Sequence, residues 1–146
     1  LGYGDTETRG NDLAEMGDNL LAVDLGTART AVDIAASDHS TCVIMDNGRI
    51  KCWGRNDNGQ LGQEINTHQG DGAGEMGNSL ATTYMGGAGV TAVEIAGGSQ
   101  NFCARLNDNS VKCWGNGGAG RLGQGNTNNL GDGAGEMTAL AAINLG

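Results

Sequence analysis

Four cysteines carry the most informative spacing in this chain, and they come as two pairs, Cys42 with Cys52 and Cys103 with Cys113. Nine residues separate the members of each pair, and a polar turn lies at the centre, Asp46-Asn47-Gly48 in the first and Asn107-Asp108-Asn109 in the second. Residues of these types accept positive φ and close hairpins. A hairpin centred on Asn47 sets Cys42 opposite Cys52, within the Cβ separation of about 3.5–4.5 Å that a disulfide needs, and Cys103 and Cys113 repeat the arrangement around Asp108. The even count and the repeated spacing favour two disulfides, each within a hairpin, and disulfides imply an oxidising compartment. Two other uses of these thiols compete. Structural zinc takes cysteines in closer C-x₂₋₄-C pairs, which this spacing and two non-equivalent histidines, His39 and His68, do not supply. Buried free thiols are the remaining alternative.

Carboxylates form the second constellation. Asp71 with Glu75 and Asp132 with Glu136 stand in equivalent glycine-rich loops, echoed by Asp12 and Glu15 near the start. Calcium draws oxygen ligands from loops of this kind, so these four are calcium candidates, weighed against solvated carboxylates that cap turns. Asn56-Asp57-Asn58-Gly59 comes nearest to a helix-loop-helix calcium loop, but the required glutamate does not follow it. Gly72-Ala73-Gly74-Glu75-Met76-Gly77 spells a dinucleotide fingerprint with neither a buried strand before it nor a helix after it, and the second copy breaks the pattern at Thr138, so its glycines read as turn formers. No Ser/His/Asp or Cys/His arrangement recurs. The expectation is a protein without enzymatic activity and without a cofactor.

The elements that position these residues follow from a repeat. Ala-Val-Asp-Ile-Ala at Ala31 returns as Ala-Val-Glu-Ile-Ala at Ala92, 61 residues on, and Cys42, Cys52, Trp53, Leu61 and the run Asp71 to Met76 all recur at that offset, as Cys103, Cys113, Trp114, Leu122 and Asp132 to Met137. A register kept over so many positions marks tandem units. Each unit holds four short alternating or β-branched runs: Leu20 to Leu25, Ala31 to Ala36, Ser40 to Met45 and Arg49 to Trp53, then Leu80 to Met85, Thr91 to Ala96, Asn101 to Leu106 and Ser110 to Trp114. Leu140 to Leu145 matches the first run and is expected to stand without a partner, as an open sheet edge. The pattern predicts small antiparallel four-stranded sheets joined by long glycine-rich connections, Gly54 to Ser79 and Gly115 to Thr138, ordered as turns. It divides the chain into a trailing loop (1–19), a first repeat (20–79), a second repeat (80–139) and the first strand of a further one (140–146). Trp53 and Trp114, at strand ends, and Leu61 and Leu122, in the loops, are expected to pack between units.

Composition narrows the partners. Gly contributes 28 of 146 residues and Pro none, so the chain turns often, and its core is built from Val, Ile, Leu, Met and Ala around few aromatics. A net charge of −9 repels phosphate backbones, which argues against nucleic acid. No apolar run of about 18 residues exists to span a membrane. Leu1 follows no charged-then-apolar leader, so any signal peptide is expected to have been removed or to lie outside this segment.

The stretch His39-Ser40-Thr41-Cys42 through Trp53-Gly54-Arg55-Asn56 to Gly59-Gln60-Leu61-Gly62, preceded by Ile34-Ala35-Ala36, resembles the RCC1-type repeat, in which an Ile-Ala-Gly-like strand leads to His-Thr, a hairpin, Trp-Gly-x-Asn and Gly-Gln-Leu-Gly. The second copy keeps Ile95-Ala96-Gly97 but has Gln100 for His39 and Gly117 for Asn56. The resemblance covers nearly the whole chain and implies an all-β fold, a β-propeller or stacked array whose ring closes with about seven blades. Two units cannot close it, so further blades are expected from the same polypeptide or from other copies. The paired cysteines are similar to those of secreted or cell-surface versions of the repeat. The leading expectation is therefore an extracellular structural scaffold, part of a larger propeller or a self-assembling fibre. The alternative is a recognition propeller that binds a protein or carbohydrate through its loops, and regulation of a small GTPase by analogy of fold alone is discounted.

Overall fold

Runs that alternate apolar and polar residues, or that are rich in Val and Ile, fit a pleated, half-buried surface. In the computed structural model, which describes residues 1–146, such runs form β1 (Ala31–Ala36), β2 (Ser40–Met45) and β3 (Ile50–Gly54), then β5 (Ala92–Gly97), β6 (Asn101–Leu106) and β7 (Val111–Gly115). Both triplets are antiparallel meanders, and a bulge at Val32 in β1 recurs at Val93 in β5. The hairpin between β2 and β3 closes over three residues: Met45 N–H donates to the Arg49 carbonyl and Gly48 N–H to the Met45 carbonyl, both at 2.8 Å. Gly48 takes a left-handed φ of +73° there, and Asn109, at +67°, does so in the second hairpin, as a type I turn with a bulge requires.

The first sheet has four strands in the order β1-β2-β3-β4, the last of them Thr82–Thr83, and this fourth strand corrects the division of the chain read from sequence. Leu80 to Met85, expected to open the second repeat, instead closes the first sheet through β4 (Thr82–Thr83), which pairs with β3 at Ile50↔Thr83 and Lys51↔Thr82. Leu140 to Leu145 is likewise not an unpartnered opening strand, because Ile143 N–H donates to the Val111 carbonyl on the outer edge of β7 at 2.8 Å. The Leu20 to Leu25 run forms no strand. The physical reason is direction: a sequence period shows where a unit recurs, but not which neighbour each run pairs with. Strands therefore begin at Ala31 and Ala92, and each long connection returns to complete the sheet it left.

The two sheets lie face to face, and the pleat sorts β2 into two cores. Cys42 and Ile44 join Ile50 and Cys52 in a cluster shared with Phe102, Leu106 and Trp114 of the second sheet. Val43 and Met45 point the other way, with Trp53, against Leu25 and Leu80. β2 is thus buried on both faces, which is why it reads as the near-continuous apolar run Cys42-Val43-Ile44-Met45 rather than as a strict alternation. A single helical turn, α1 (Glu136–Ala139), lies in a connection with no helical period. No helix is long and apolar enough to cross a membrane.

Candidate functional site

Disulfides join Cys42 to Cys52 and Cys103 to Cys113, and no cysteine is free. The sheet register sets each pair directly opposite, with Cα atoms 4.1 and 4.0 Å apart, the close approach of a non-hydrogen-bonded antiparallel pair. The first cystine is wholly buried beneath the second sheet, and Thr83 Oγ1 lies 3.4 Å from Cys52 Sγ.

The geometry that recurs along the chain is a joint between a loop and the blade after it. Trp114 ends β7 fully buried, stacked on Phe102 with ring centroids 6.1 Å apart, and its Nε1–H donates to the Gln60 carbonyl at 3.0 Å. Gly62 passes so close to this indole that a Cβ there would stand 3.0 Å from its Cδ1 and Nε1, so only glycine lets the backbone lie on the ring. Leu61, wholly buried, sits in the same cluster. Trp53, 5% exposed, meets Gly2 in the same way. Leu122 is also buried, but no indole lies over its loop. Across the joint, Asp33 Oδ2 accepts the Ile95 N–H at 3.2 Å and Asp38 accepts Ser99 Oγ–H at 2.7 Å.

The calcium candidates find a different use. Glu75 Oε2 accepts the N–H groups of Gly70, Asp71 and Gly72 at 2.8, 3.1 and 2.8 Å, and Glu136 Oε2 accepts those of Gly131, Asp132 and Gly133 at the same distances. Glu15 holds Gly10, Asn11 and Asp12 in the same grip at 2.9, 3.1 and 3.0 Å. An oxygen ringed by three N–H dipoles lies in a positive potential that suits an anion and opposes a cation. Asp71 and Asp132 give this nest their backbone N–H groups, and Glu75 and Glu136 serve in it as loop staples. The Asp12 N–H leads in holding the Glu15 carboxyl below its usual range. Burial pushes Glu136 upward, but its N–H donors, Gly133 and Gly131 first, prevail and lower it, while burial raises Asp132.

Other residues of the joints escaped sequence reasoning. Lys51 is buried, with Nζ donating to the Leu25 and Gly77 carbonyls at 2.9 and 2.6 Å, and burial lowers its pKa. Its position in the alternation of β3, beside Val43 in β2, was the available signal that it points into a core. His68 Nε2 lies 3.0 Å from Asp57 Oδ1, and the bonds from His68 and Arg55 lower the Asp57 pKa. This cluster is not repeated, since Gly118 and Asn129 hold the equivalent places. A cleft of about 550 Å³ runs between Arg49 and the segment from Thr82 to Thr91, and no carboxylate, imidazole or thiol lines it.

Comparison with known proteins bears on the whole arrangement. The model of the regulator of chromosome condensation (RCC1) repeat matches twice, over residues 31–60 and 92–121, that is, each three-stranded meander with the first residues of the loop that follows it. The chain is similar in structure to human WBSCR16, with a TM-score of 0.61 and 16% identity over 98% of this chain and 33% of that one. It is also similar to yeast RCC1 (Prp20) as bound to Kap60, with a TM-score of 0.58 and 19% identity over 82% of this chain and 26% of that one. Likeness at these identities speaks for the fold, and the chain spans about a third and a quarter of these two proteins.

Proposed function

From the two matches to the RCC1 repeat in this chain we propose that it is a segment of a disulfide-braced propeller scaffold that binds other proteins, without catalysis of its own, outside the cell or at its surface. The observation that carries the reading is the cystine across each hairpin. A cytosol would keep such thiols reduced, and these bonds close the strands on which the joints are built. A propeller relative, yeast RCC1, has been captured with Kap60, which supports protein as the class of partner.

Within such a scaffold, contacts belong where the copies differ. The stapled loops around Glu75 and Glu136 are alike and spend their polar groups internally. The loops from Arg55 to Gln69 and from Asn116 to Leu130 diverge, and the first presents the exposed Arg55–Asp57–His68 cluster. The test places a photo-activated cross-linker at Asp57 in the protein isolated from its source without reductant. The expected result is a protein cross-linked at that loop, whose affinity falls at least about tenfold when His68 is changed to Ala, with no thiol open to alkylation. Free thiols in the native protein would sink the extracellular placement, and failure to cross-link any protein would sink the binding role.

A further inference from the structure

The turn between β2 and β3 forms one wall of a groove that neither the cystines nor the joints explain. A cleft of about 550 Å³ lies between Asn47–Ile50 and the connection from Thr82 to Thr91, with both of the blades that bound it in place. The two walls meet where Ala92 N–H donates to the Gly48 carbonyl at 2.9 Å. Asn107 of the second hairpin pins the connection, donating from Nδ2 to the Gly89 carbonyl at 2.9 Å and accepting the Thr91 N–H at 3.2 Å. A further recess of about 340 Å³ shares Asn47, Arg49 and Thr82 with this cleft, so the two form one groove with Arg49 between them.

Charge singles out Arg49. The chain has 17 acidic residues and a net charge of −9, yet no carboxylate lines either recess. Arg29 and Lys51 also border the groove, but Arg29 is held by Asp46 and Lys51 by the Leu25 and Gly77 carbonyls. Every other arginine donates to a carboxylate or a carbonyl. Arg49 is exposed, and of its donors only the backbone N–H is used, on Asn47 Oδ1. In the same cleft Tyr84 is 45% exposed. The N–H groups of Gly86, Gly87, Ala88 and Gly89, and the carbonyls of Gly86 and Ala88, bond to nothing within the chain. The charge pattern is peculiar to this blade, because Ser110 stands in the place of Arg49 in the second repeat and Val90 in the place of Arg29.

We propose that this groove is a binding site for an extended acidic segment of a partner protein, with a side-chain carboxylate of that segment on Arg49. A guanidinium fork holds a carboxylate through two parallel hydrogen bonds. The groove continues past Arg49 on both sides, so it suits a chain that passes through and sets a side chain, not an end, on the arginine. The bare glycine wall offers donors and acceptors together, as a peptide backbone requires, and the exposed Tyr84 ring offers a surface to an apolar side chain of the segment. The site rests on the reading of the chain as a protein-binding scaffold and adds a second contact, at the opposite end of the strands from Asp57.

Nuclear magnetic resonance on the intact, unreduced chain tests the proposal, with N-acetylated, C-amidated hexaglutamate as the probe. The expected result is saturable shifts of the Arg49 Nε–H and of the Gly86 to Gly89 amides, weakening as salt is raised. Arg49→Gln removes an exposed group that holds nothing in the fold, and it is expected to lower the affinity at least about tenfold. Lys112→Gln, in the second repeat, is expected to leave it within about twofold. Absence of shifts at these residues, or an equal loss from Lys112→Gln, would overturn the proposal. So would glucuronate or inorganic phosphate binding at Arg49 as tightly as hexaglutamate, since the site would then take a lone anion rather than a peptide. Cross-linking at Asp57 is read at the other end of the strands, so either contact fails without the other.

Discussion

After Trp53-Gly54 the chain is held by one buried amide side chain, and after Trp114-Gly115 by a close backbone approach and an asparagine further along the loop. Asn56 is fully buried, donates from Nδ2 to the carbonyls of Ile65 and Thr67 at 2.6 and 3.2 Å, and accepts the Leu61 N–H at 2.9 Å. Gly117 occupies the equivalent place, where a Cβ would stand 1.7 Å from the Asn128 carbonyl oxygen, and its N–H donates to Asn129 Oδ1. The same division recurs elsewhere. Lys51 is buried and hydrogen-bonded to two carbonyls, whereas Lys112 is partly exposed. Ala36 faces solvent in β1, while Gly97 in β5 passes so close to the Ala36 carbonyl that a Cβ would come within 2.1 Å. The hairpin, the cystine and the tryptophan build a blade, and the positions that differ fit each blade to its particular neighbour. The two repeats are therefore not interchangeable parts, and stability in such an array is shared between units and their joints.

The widest separation between the two joints is expected at the tryptophans. Trp114→Ala removes a wholly buried ring stacked on Phe102 and leaves the Gln60 carbonyl without its donor, a change of about 3–5 kcal/mol. Trp53 is less enclosed, is covered by a terminal segment and has no aromatic partner, so Trp53→Ala is expected to cost less. Denaturant titration of both variants checks the order, and equal losses would dissolve the distinction between the joints.

The cystines come next. Both close loops of sequence separation 10, so replacing either pair by alanine costs about 2–3 kcal/mol through the freedom regained by the unfolded chain. Cys42 and Cys52 are both fully buried in the inter-sheet core, whereas Cys103 is partly exposed. The first replacement also leaves a cavity in that core, so it is expected to lower the thermal midpoint more than the second.

Much of the blade was legible in the chain itself. The Asn47 and Asp108 turns, the opposed cysteines and the buried tryptophans follow from local chemistry, which acts over a few residues and survives in any context. The fourth strand did not, because β4 belongs to the first sheet by virtue of where the chain returns after a long connection, a non-local choice that no periodicity encodes. Glu75 and Glu136 were ambiguous for a related reason: a carboxylate in a glycine loop can serve a cation or cap a turn, and only the path of the backbone shows N–H groups curled toward it. The Trp-Gly-x-Asn pattern pointed at Asn56, but only the buried path of the loop explains the need for an amide there. Asn56→Ala is expected to cost about 1–3 kcal/mol, since it leaves a buried N–H and two carbonyls without partners. Asn116→Ala in the second loop, whose side chain is only partly buried and where Gly117 and Asn129 hold the backbone, is expected to cost less.

The smallest effect separates the staples. Glu15 and Glu136 each grip three backbone N–H groups, and both carboxyls lie below the ordinary glutamate value of 4.5. A group whose folded pKa is depressed contributes stability above its unfolded pKa and loses it as pH falls through the folded value, so both staples hold at neutral pH and release only as pH falls below the ordinary glutamate range. Asp132 acts in the opposite sense, because burial raises its pKa, and whatever it adds to stability is present in acid and lost as pH rises. The loop around Glu136 therefore carries two opposing titrations. The amide proton shifts of Gly131 and Gly133 are expected to show a composite acid titration, and those of Gly10 and Asn11 a titration centred below the ordinary glutamate value. In Glu136→Gln the carboxylate is gone, and the Gly131 and Gly133 amides should then follow Asp132 alone. If they kept the full composite profile, the grip of Glu136 on them would not be what orders this loop.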